Sequence, residues 1–463
     1  MKRSIPLVSS CLVLCSLTLA PAKDWPQWMG ENRDGKANFT PPKTWPKELA
    51  QKWKVTVGDG VATPALVGDK LYVFSRQEGG EFLRCLDAAS GKEIWKSEKH
   101  DVLPANGPAQ SFSGPRCTPT VADGKVVTLG LRGAVTCYDA ATGKQLWRKE
   151  DFKGSLPRFF TSASPVVADG LCVAQLGGNE NGGVIAYDLA TGDEKWKWTG
   201  DGPSYASTML MTVSGTKMVI AETDKKIVGL GLKDGKLLWE TPFAVQGRGY
   251  NASTPLVDGN TLIYAGSGRG VTAVKIEKEG DAFVAKELWK NADNSVQFNT
   301  PVLKGGALYG MTANNEFFCI TKDGKTAWKA PLASAGSAGE SPRPGGPPSN
   351  AQPGGPGGGR EPGAGPGGPG GREGGPGGPG GPGRGRGGGG GGRGGYGSIV
   401  DGGSVLLALT PASELVAFEP SEKEFKEVAR VKVSSTPTYA FPIASGNRIF
   451  IKDQNDVILY AMQ

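Results

Sequence analysis

The stretch Ala134-Val-Thr-Cys137-Tyr-Asp139-Ala-Ala-Thr142-Gly143-Lys144-Gln-Leu-Trp147 predicts a strand, a tight turn and a returning strand. Val135 and Cys137 alternate with polar neighbours, as half-buried strand residues do. Asp139 has a short carboxylate that can bond turn amides. Gly143 can take the positive φ that side chains resist. Leu146 and Trp147 begin the return strand, the indole supplying a large apolar face.

The phrase recurs along the chain. One copy ends Asp87-Ala-Ala-Ser90-Gly91-Lys92-Glu-Ile-Trp95, and another Asp188-Leu-Ala-Thr191-Gly192-Asp193-Glu-Lys-Trp196. Shorter versions are Lys233-Asp234-Gly235-Lys236-Leu-Leu-Trp239 and Lys322-Asp323-Gly324-Lys325-Thr-Ala-Trp328, and Lys286-Glu-Leu288-Trp289 keeps only the ending. Tryptophans at 53, 95, 147, 196, 239, 289 and 328 are therefore 39 to 52 residues apart. A period of about 40 to 50 residues carrying strands and turns is the signature of propeller blades. Each unit also has a front half, opened by Thr63-Pro64, Thr118-Pro119, Ser164-Pro165, Thr254-Pro255, Thr300-Pro301 and Thr436-Pro437, with Ser207-Thr208-Met209 a variant lacking the proline. There a short apolar strand, an Asp-Gly or Gly-Asp turn and an alternating strand such as Leu71-Tyr-Val-Phe74 make a hairpin. Two hairpins per unit make a four-stranded blade.

The string Asp-x-x-Thr-Gly-Lys-x-x-Trp resembles the tryptophan-docking repeat of the PQQ-like, quinoprotein-type propellers. That family includes quinone-dependent alcohol dehydrogenases and the propeller component of the outer-membrane barrel-assembly machine. The resemblance runs from Lys52 to Gln463 apart from one insert. It extends to Asp24-Trp25-Pro-Gln-Trp28, a phrase similar to the opening of exported members. It speaks strongly for the fold and hardly at all for the activity, because one fold hosts many functions.

The expected architecture is all-β: an eight-bladed propeller of four-stranded antiparallel blades. The chain begins with an orphan tryptophan strand, Lys52 to Val57, and ends with an orphan front half, Thr436 to Met462. Pairing them completes the last blade and removes two exposed sheet edges. The seventh unit is degenerate, since Ala417 to Lys423 carries neither the glycine nor the tryptophan, so seven blades is the alternative count. The organisation expected is a signal peptide at 1–22 and a lead-in at 23–51 strapped on the propeller flank. The closing strand and blades 1 to 6 follow at 52–332, a Gly/Pro/Arg-rich disordered insert at 333–397, and blades 7 and 8 at 398–463. Met1-Lys2-Arg3, the apolar run from Ile5 and Ala20-Pro21-Ala22 fit a secretory signal cleaved near Ala22. Export to a periplasm or beyond follows, with no membrane span in the mature chain. The insert has almost no apolar side chains to offset ordering entropy.

The formal charge of +7 gives no argument for nucleic acid, because Lys2 and Arg3 leave with the signal and the insert holds six Arg against three Glu. The five cysteines past the signal show no C-x-x-C spacing and read as small buried residues. His100, the sole histidine, reads as a solvated loop residue. No P-loop, H-E-x-x-H or G-x-S-x-G is present. Dehydrogenases of the resembled family carry adjacent cysteines beside the quinone and a calcium held by Glu, Asn and Asp. This chain has no Cys-Cys pair, so no cofactor is expected, PQQ with calcium being the alternative.

Chemistry is then a matter of surface. The loops leading into each opening strand are enriched in Arg, aromatic and amide residues. Arg116, Arg158, Phe159, Tyr205, Arg248, Tyr250, Asn251, Gln297, Phe298, Asn299 and Tyr439 are the candidate rim of an axial mouth. Such a ring suits an envelope protein, a peptide or a polysaccharide, and its structural alternative is a plug that fills the funnel. The reading is an exported, non-enzymatic binding or assembly scaffold, closer to the barrel-assembly propeller than to the dehydrogenases. A quinone-dependent oxidoreductase, or a hydrolase working through axial carboxylates, is the competing class.

Overall fold

Asp139 shapes its turn as its position predicts. Its Oδ1 accepts from the amides of Ala141 and Thr142 at 3.1 and 2.9 Å and from the Thr142 hydroxyl at 2.7 Å. Gly143 follows at φ 74°. The flanking strands Val135–Asp139 and Gln145–Lys149 pair antiparallel, with Cys137 opposite Trp147. The computed structural model describes residues 24–245, 249–333 and 396–462. The signal-peptide and insert expectations lie outside the described residues.

Eight antiparallel sheets of this kind make up the propeller. The inner strands Ala65–Val67, Thr120–Ala122, Val166–Ala168, Met209–Val213, Leu256–Asp258, Val302–Lys304, Ser398–Asp401 and Ile443–Gly446 open blades 1 to 8. Blade 8 takes its outer strand, Ala50–Thr56, from the other end of the chain. Trp53 lies opposite Leu459, Thr56 opposite Asp456, and Lys54 pairs with Asp456 at 2.8 Å. The ring is closed as expected, with eight blades.

Each tryptophan docks on the turn of the following blade. The Nε1 of Trp53 donates to Ala88 O at 3.3 Å, of Trp147 to Leu189 O at 3.0 Å, of Trp196 to Leu232 O at 2.9 Å and of Trp328 to Ser421 O at 2.7 Å. A Cβ on Gly91, Gly143, Gly192, Gly235 or Gly324 would fall within 2.8 Å of the preceding blade's indole. The glycine therefore serves the turn and the docking at once. Removing about 200 Å² of indole from water contributes about 5 kcal/mol per joint as an upper bound. The exceptions follow from topology. Blade 5 replaces the turn by a long hairpin, Gly270–Glu279 with Ala282–Asn291, so Trp239 turns back onto Gly229 and donates to Met218 Sδ at 3.2 Å. Blade 7 has no tryptophan, and blade 8 has no third-to-fourth-strand turn to receive one, because its outer strand comes from elsewhere. In the degenerate blade 7, Phe425 fills the joint against Phe317, Phe418 and Trp328.

The Thr-Pro openings form a second set of joints. Thr118 N donates to Ser164 Oγ, Ser164 N to Ser207 Oγ, Ser207 N to Thr254 Oγ1 and Thr254 N to Thr300 Oγ1, all at 2.9 to 3.0 Å. Phe441 N closes onto Thr63 Oγ1 at 2.9 Å. Phe441-Pro442 is thus the opening of blade 8. Thr436-Pro437, which the repeat pattern nominates, lies before it in the incoming loop, since Ile443–Gly446 is the inner strand.

The first part of the lead-in, residues 24–40, does not lie on the flank. Trp25 pairs with Leu66, Val121 N donates to Pro26 O at 2.8 Å, Ala37 N donates to Asp401 O at 2.8 Å, and Asn38–Phe39 runs parallel to Ser445 and Gly446. All of these partners belong to inner strands or their ends, so the segment fills the axial channel. Trp25 and Met29 are fully buried there. Inner strands otherwise offer an unpaired edge to the channel, and the lead-in covers it. His100 is also not a solvated loop residue. With Asp101 it forms a short strand on Gly80 and Glu81, half-buried near Tyr138.

Candidate functional site

The loops that join one blade's outer strand to the next blade's inner strand gather on one face, and the docking turns lie on the other. The loop between Glu93–Lys96 and Thr120–Ala122 carries Phe112 and Arg116. Arg116 Nη2 donates to Phe112 O at 2.9 Å, and Nη1 donates to Phe159 O of the next loop. Burial pulls its guanidinium below the ordinary value, and Cys117, Tyr205 and Tyr396 partly restore it.

Arg116 stands between two aromatic groups. On one side Phe159 meets Tyr250 edge-on at 4.7 Å and Tyr205 at 6.1 Å, and Tyr205 meets Tyr250 at 5.8 Å. The Tyr205 hydroxyl accepts from Phe159 N at 3.0 Å, and burial pushes its pKa up to about 12. On the other side Phe298 stacks on Tyr396 at 4.5 Å, Tyr396 meets Tyr439 at 5.2 Å, and Tyr439 meets Phe112 at 5.3 Å. Each such pair adds about 0.5–1.5 kcal/mol beyond area burial and holds the rings in fixed relation. These rings are half-buried: packed at their edges, open at the surface.

The structure therefore brings together Arg116, Phe159, Tyr205, Tyr250, Phe298 and Tyr439. Arg158 is exposed, its guanidinium 5.5 Å from the Phe159 ring. Gln297 is half-buried beside Phe298. Asn251 and Asn299 point inward. Asn251 Nδ2 donates to Thr223 O, Asp224 O and Phe243 O, sealing blade 4 to blade 5, and Asn299 Nδ2 donates to Met311 O at 2.9 Å. Arg248 lies outside the described residues. Phe112 and Tyr396 belong to the face but escape the sequence reading. Their signal was position: Phe112 is four residues before Arg116, and Tyr396 immediately precedes the Gly397-Ser398 opening.

Two buried carboxyls face the same side. Glu81 lines a cavity of about 250 Å³ with Leu103, Arg132, Arg148 and Phe152, bounded by the loops that carry Arg116 and Phe159. Its Oε1 accepts from Leu131 N at 2.8 Å, and burial pushes its pKa up to about 7. Glu222 is buried with neither oxygen bonded, and burial raises its pKa well above the ordinary carboxylate value, Arg269 opposing. The other carboxylates of the Glu81 cavity are engaged, Asp101 with Lys99 at 2.9 Å and Glu150 with Arg148 at 2.7 Å. Glu81 thus faces no free carboxylate in the cavity to act as its acid–base partner. Among the described residues no group of three or more His, Cys, Asp or Glu is placed to hold a metal ion. The five described cysteines are free and buried.

The sequence profile of the family described as "Outer membrane protein assembly factor BamB" matches residues 79–330. The outer membrane protein assembly factor BamB of Xanthomonas campestris pv. campestris is 24% identical over 281 residues, covering 57% of this chain and 65% of that protein. The quinohemoprotein alcohol dehydrogenase of Comamonas testosteroni is 29% identical over 164 residues, covering 33% of this chain and 22% of the enzyme. The chain thus spans less than two thirds of the length of either relative. The crystal structure of BamB from Moraxella catarrhalis superposes with a TM-score of 0.58 at 11% identity, over 90% of this chain and 98% of that one, a likeness of fold.

Proposed function

This chain belongs to the family of the outer membrane protein assembly factor BamB, and we propose that it is an exported, non-enzymatic scaffold. In this reading it holds an envelope protein partner on the axial aromatic face. The observation that carries the reading is the shape of that face. Seven half-buried aromatic rings and Arg116 form a broad surface, and the channel beneath is filled by the lead-in, with Trp28 against Phe441 at 4.8 Å. A small substrate wants a deep, enclosing pocket, whereas a shallow surface rich in Tyr, Phe and Arg suits a protein partner. A peptide strand is compatible with the same face, and a polysaccharide fits it less well, because edge-on packing leaves few ring faces free for stacking. Residence in the periplasm, after cleavage near Ala22, belongs to this proposal.

A quinone-dependent oxidoreductase is the competing reading, since relatives by sequence include such an enzyme. The donor set does not fit it: the chain has no adjacent cysteine pair, and among the described residues no group of three or more His, Cys, Asp or Glu could hold a metal ion. The test uses the exported chain with Tyr250→Ser and Tyr439→Ser together. Loss of partner capture by at least about 30-fold with unchanged melting supports the scaffold, because one interface anchor is worth about 2 kcal/mol. Capture unchanged by the pair overturns it, and so does dye reduction by the purified protein loaded with PQQ and calcium.

A further inference from the structure

Arg132 stands on the turn 130–133 of blade 2 and pins the loop that leaves blade 1. Its Nε donates to Leu103 O and its Nη2 to Pro104 O, both at 3.1 Å. Arg76 Nη2 holds the preceding carbonyl, Val102 O, at 3.1 Å. On this anchored backbone Leu103 stays 70% exposed at the border of the cavity of about 250 Å³ that contains Glu81. Phe152, Lys153 and Leu156 of the next loop line the same space.

The charges around the cavity do not balance. Arg148 takes up Glu150, and Lys99 takes up Asp101. Arg132 and Lys153 remain as lining cations without a carboxylate partner among the described residues, and Arg132 Nη1 has no acceptor there. Glu81, only 2% exposed, does not supply the countercharge. Its Oε1 accepts from Leu131 N, while Oε2 lies over Gly130, where a Cβ would collide with it, and receives no donor among the described residues. Burial pushes the group up to about 7 against the pull of Arg148 and Arg76. Below that pH the carboxyl keeps its proton, and Oε2 becomes a donor. The cavity thus offers two cations and one acid proton beside apolar walls. Those walls suit an anion with a hydrocarbon part, and a volume below the usual ligand range of about 300–1,000 Å³ keeps it small.

We propose that this cavity binds a small organic carboxylate, its charged end set against Arg132, Lys153 and the Glu81 carboxyl and its hydrocarbon part against Leu103, Phe152 and Leu156. A free acid and the terminal residue of a chain present this same chemistry. Either gives charge-assisted hydrogen bonds to donors that the fold leaves idle. The site is separate from the aromatic face and stands whether or not that face holds a partner. Ionisation of Glu81 replaces its donor by a like charge, so affinity declines as pH rises through 7. His100 and Asp101 on the adjoining short strand, Arg76, Arg148, Cys117 and Tyr138 also face Glu81. Burial raises the Cys117 thiol and the Tyr138 hydroxyl and lowers His100 below 6.5, and all six groups remain in a Glu81→Gln control.

Titration calorimetry of the full exported chain uses isocaproate, its amide isocaproamide, N-acetyl-leucine and sodium sulfate. The two acids should bind and the amide and sulfate should not. Tighter binding of isocaproate points to a free acid, and of N-acetyl-leucine to a chain end. Wild-type affinity should fall about 10-fold from pH 6 to pH 8, following the protonated fraction of Glu81. Glu81→Gln keeps a donor and cannot ionise, so its affinity should stay level. Arg132→Met should abolish binding, Lys153→Met should weaken it by about 2–5-fold, and Leu103→Glu, which sets an anion at the border, should weaken it further. Equal binding of acid and amide, displacement by sulfate, or parallel pH profiles in wild type and Glu81→Gln overturns the proposal. Should Arg132→Met loosen the loop it pins, Lys153→Met and Leu103→Glu decide it, and unchanged affinity in both overturns it.

Discussion

Replacing Gly143 by alanine separates the two duties of the turn glycine. The added methyl must adopt φ 74° and also meets Trp95 Cε3 at 2.4 Å. Gly124 supplies the control: its φ is 70°, but a Cβ there meets nothing within 4 Å. The left-handed backbone alone costs about 1 kcal/mol for a non-glycine residue. Forcing an indole to shift adds about 1–3 kcal/mol of overpacking. Gly124→Ala should therefore lower stability by about 1 kcal/mol, and Gly143→Ala by about 2–4 kcal/mol. Urea unfolding followed by tryptophan fluorescence reads both. In a Trp95→Leu background the extra cost of Gly143→Ala should vanish, leaving a coupling of about 1–3 kcal/mol between the sites. Equal costs for the two glycines, or no coupling with Trp95, would refute the docking argument.

Glu81→Gln should flatten the pH dependence of stability. The native carboxyl, pushed up to about 7, keeps its proton where the unfolded one, with an ordinary value of 4.5, has lost it. Its contribution is full below about pH 4.5 and declines through pH 7, by about 3 kcal/mol in all. Urea midpoints at pH 5 and 8 should thus differ more in wild type than in the variant, and an equal difference would remove Glu81 as the cause. Trp53→Ala should cost about 3–5 kcal/mol by opening the joint between blades 8 and 1, and limited proteolysis should then cut first near residue 50, not in the middle of the ring. Burial pushes the thiols of Cys85 and Cys319 up to about 11 and that of Cys137 up to about 12. No described cysteine should label with a disulfide reagent until the chain unfolds, and rapid labelling of any of them in the native protein would contradict the packing.

Much of the fold is legible because both halves of each joint are written in one short phrase that repeats. Asp139, Gly143 and Trp147 state within nine residues a turn that receives one tryptophan and a tryptophan that docks on the next turn, and the copies repeat this along most of the chain. The exceptions were hidden for physical reasons. Nothing local in Trp239 says that blade 5 has exchanged its docking turn for a hairpin. Phe425 packs against Trp328 from a loop without the turn glycine. Blade 8 can open at Phe441 because the donor to the Thr63 hydroxyl is a backbone amide, which any residue but proline supplies, so the Thr-Pro pattern misleads there. The lead-in's two tryptophans announce packing but not where, since a channel exists only once the ring has closed. At the rim, position before an opening strand locates the residues but not their direction. Tyr250 and Asn251 are neighbours, and one faces the mouth while the other ties down three carbonyls.

Photo-cross-linking from defined positions tests the axial account most directly. A benzophenone amino acid replaces Tyr250, Tyr439 or, on an outer strand well away from the mouth, the exposed Leu146. The account predicts that positions 250 and 439 trap the same envelope protein in intact cells, that excess unlabelled propeller competes for it, and that position 146 traps none of it. Capture of that partner from position 146 with silence at 250 and 439 would contradict it.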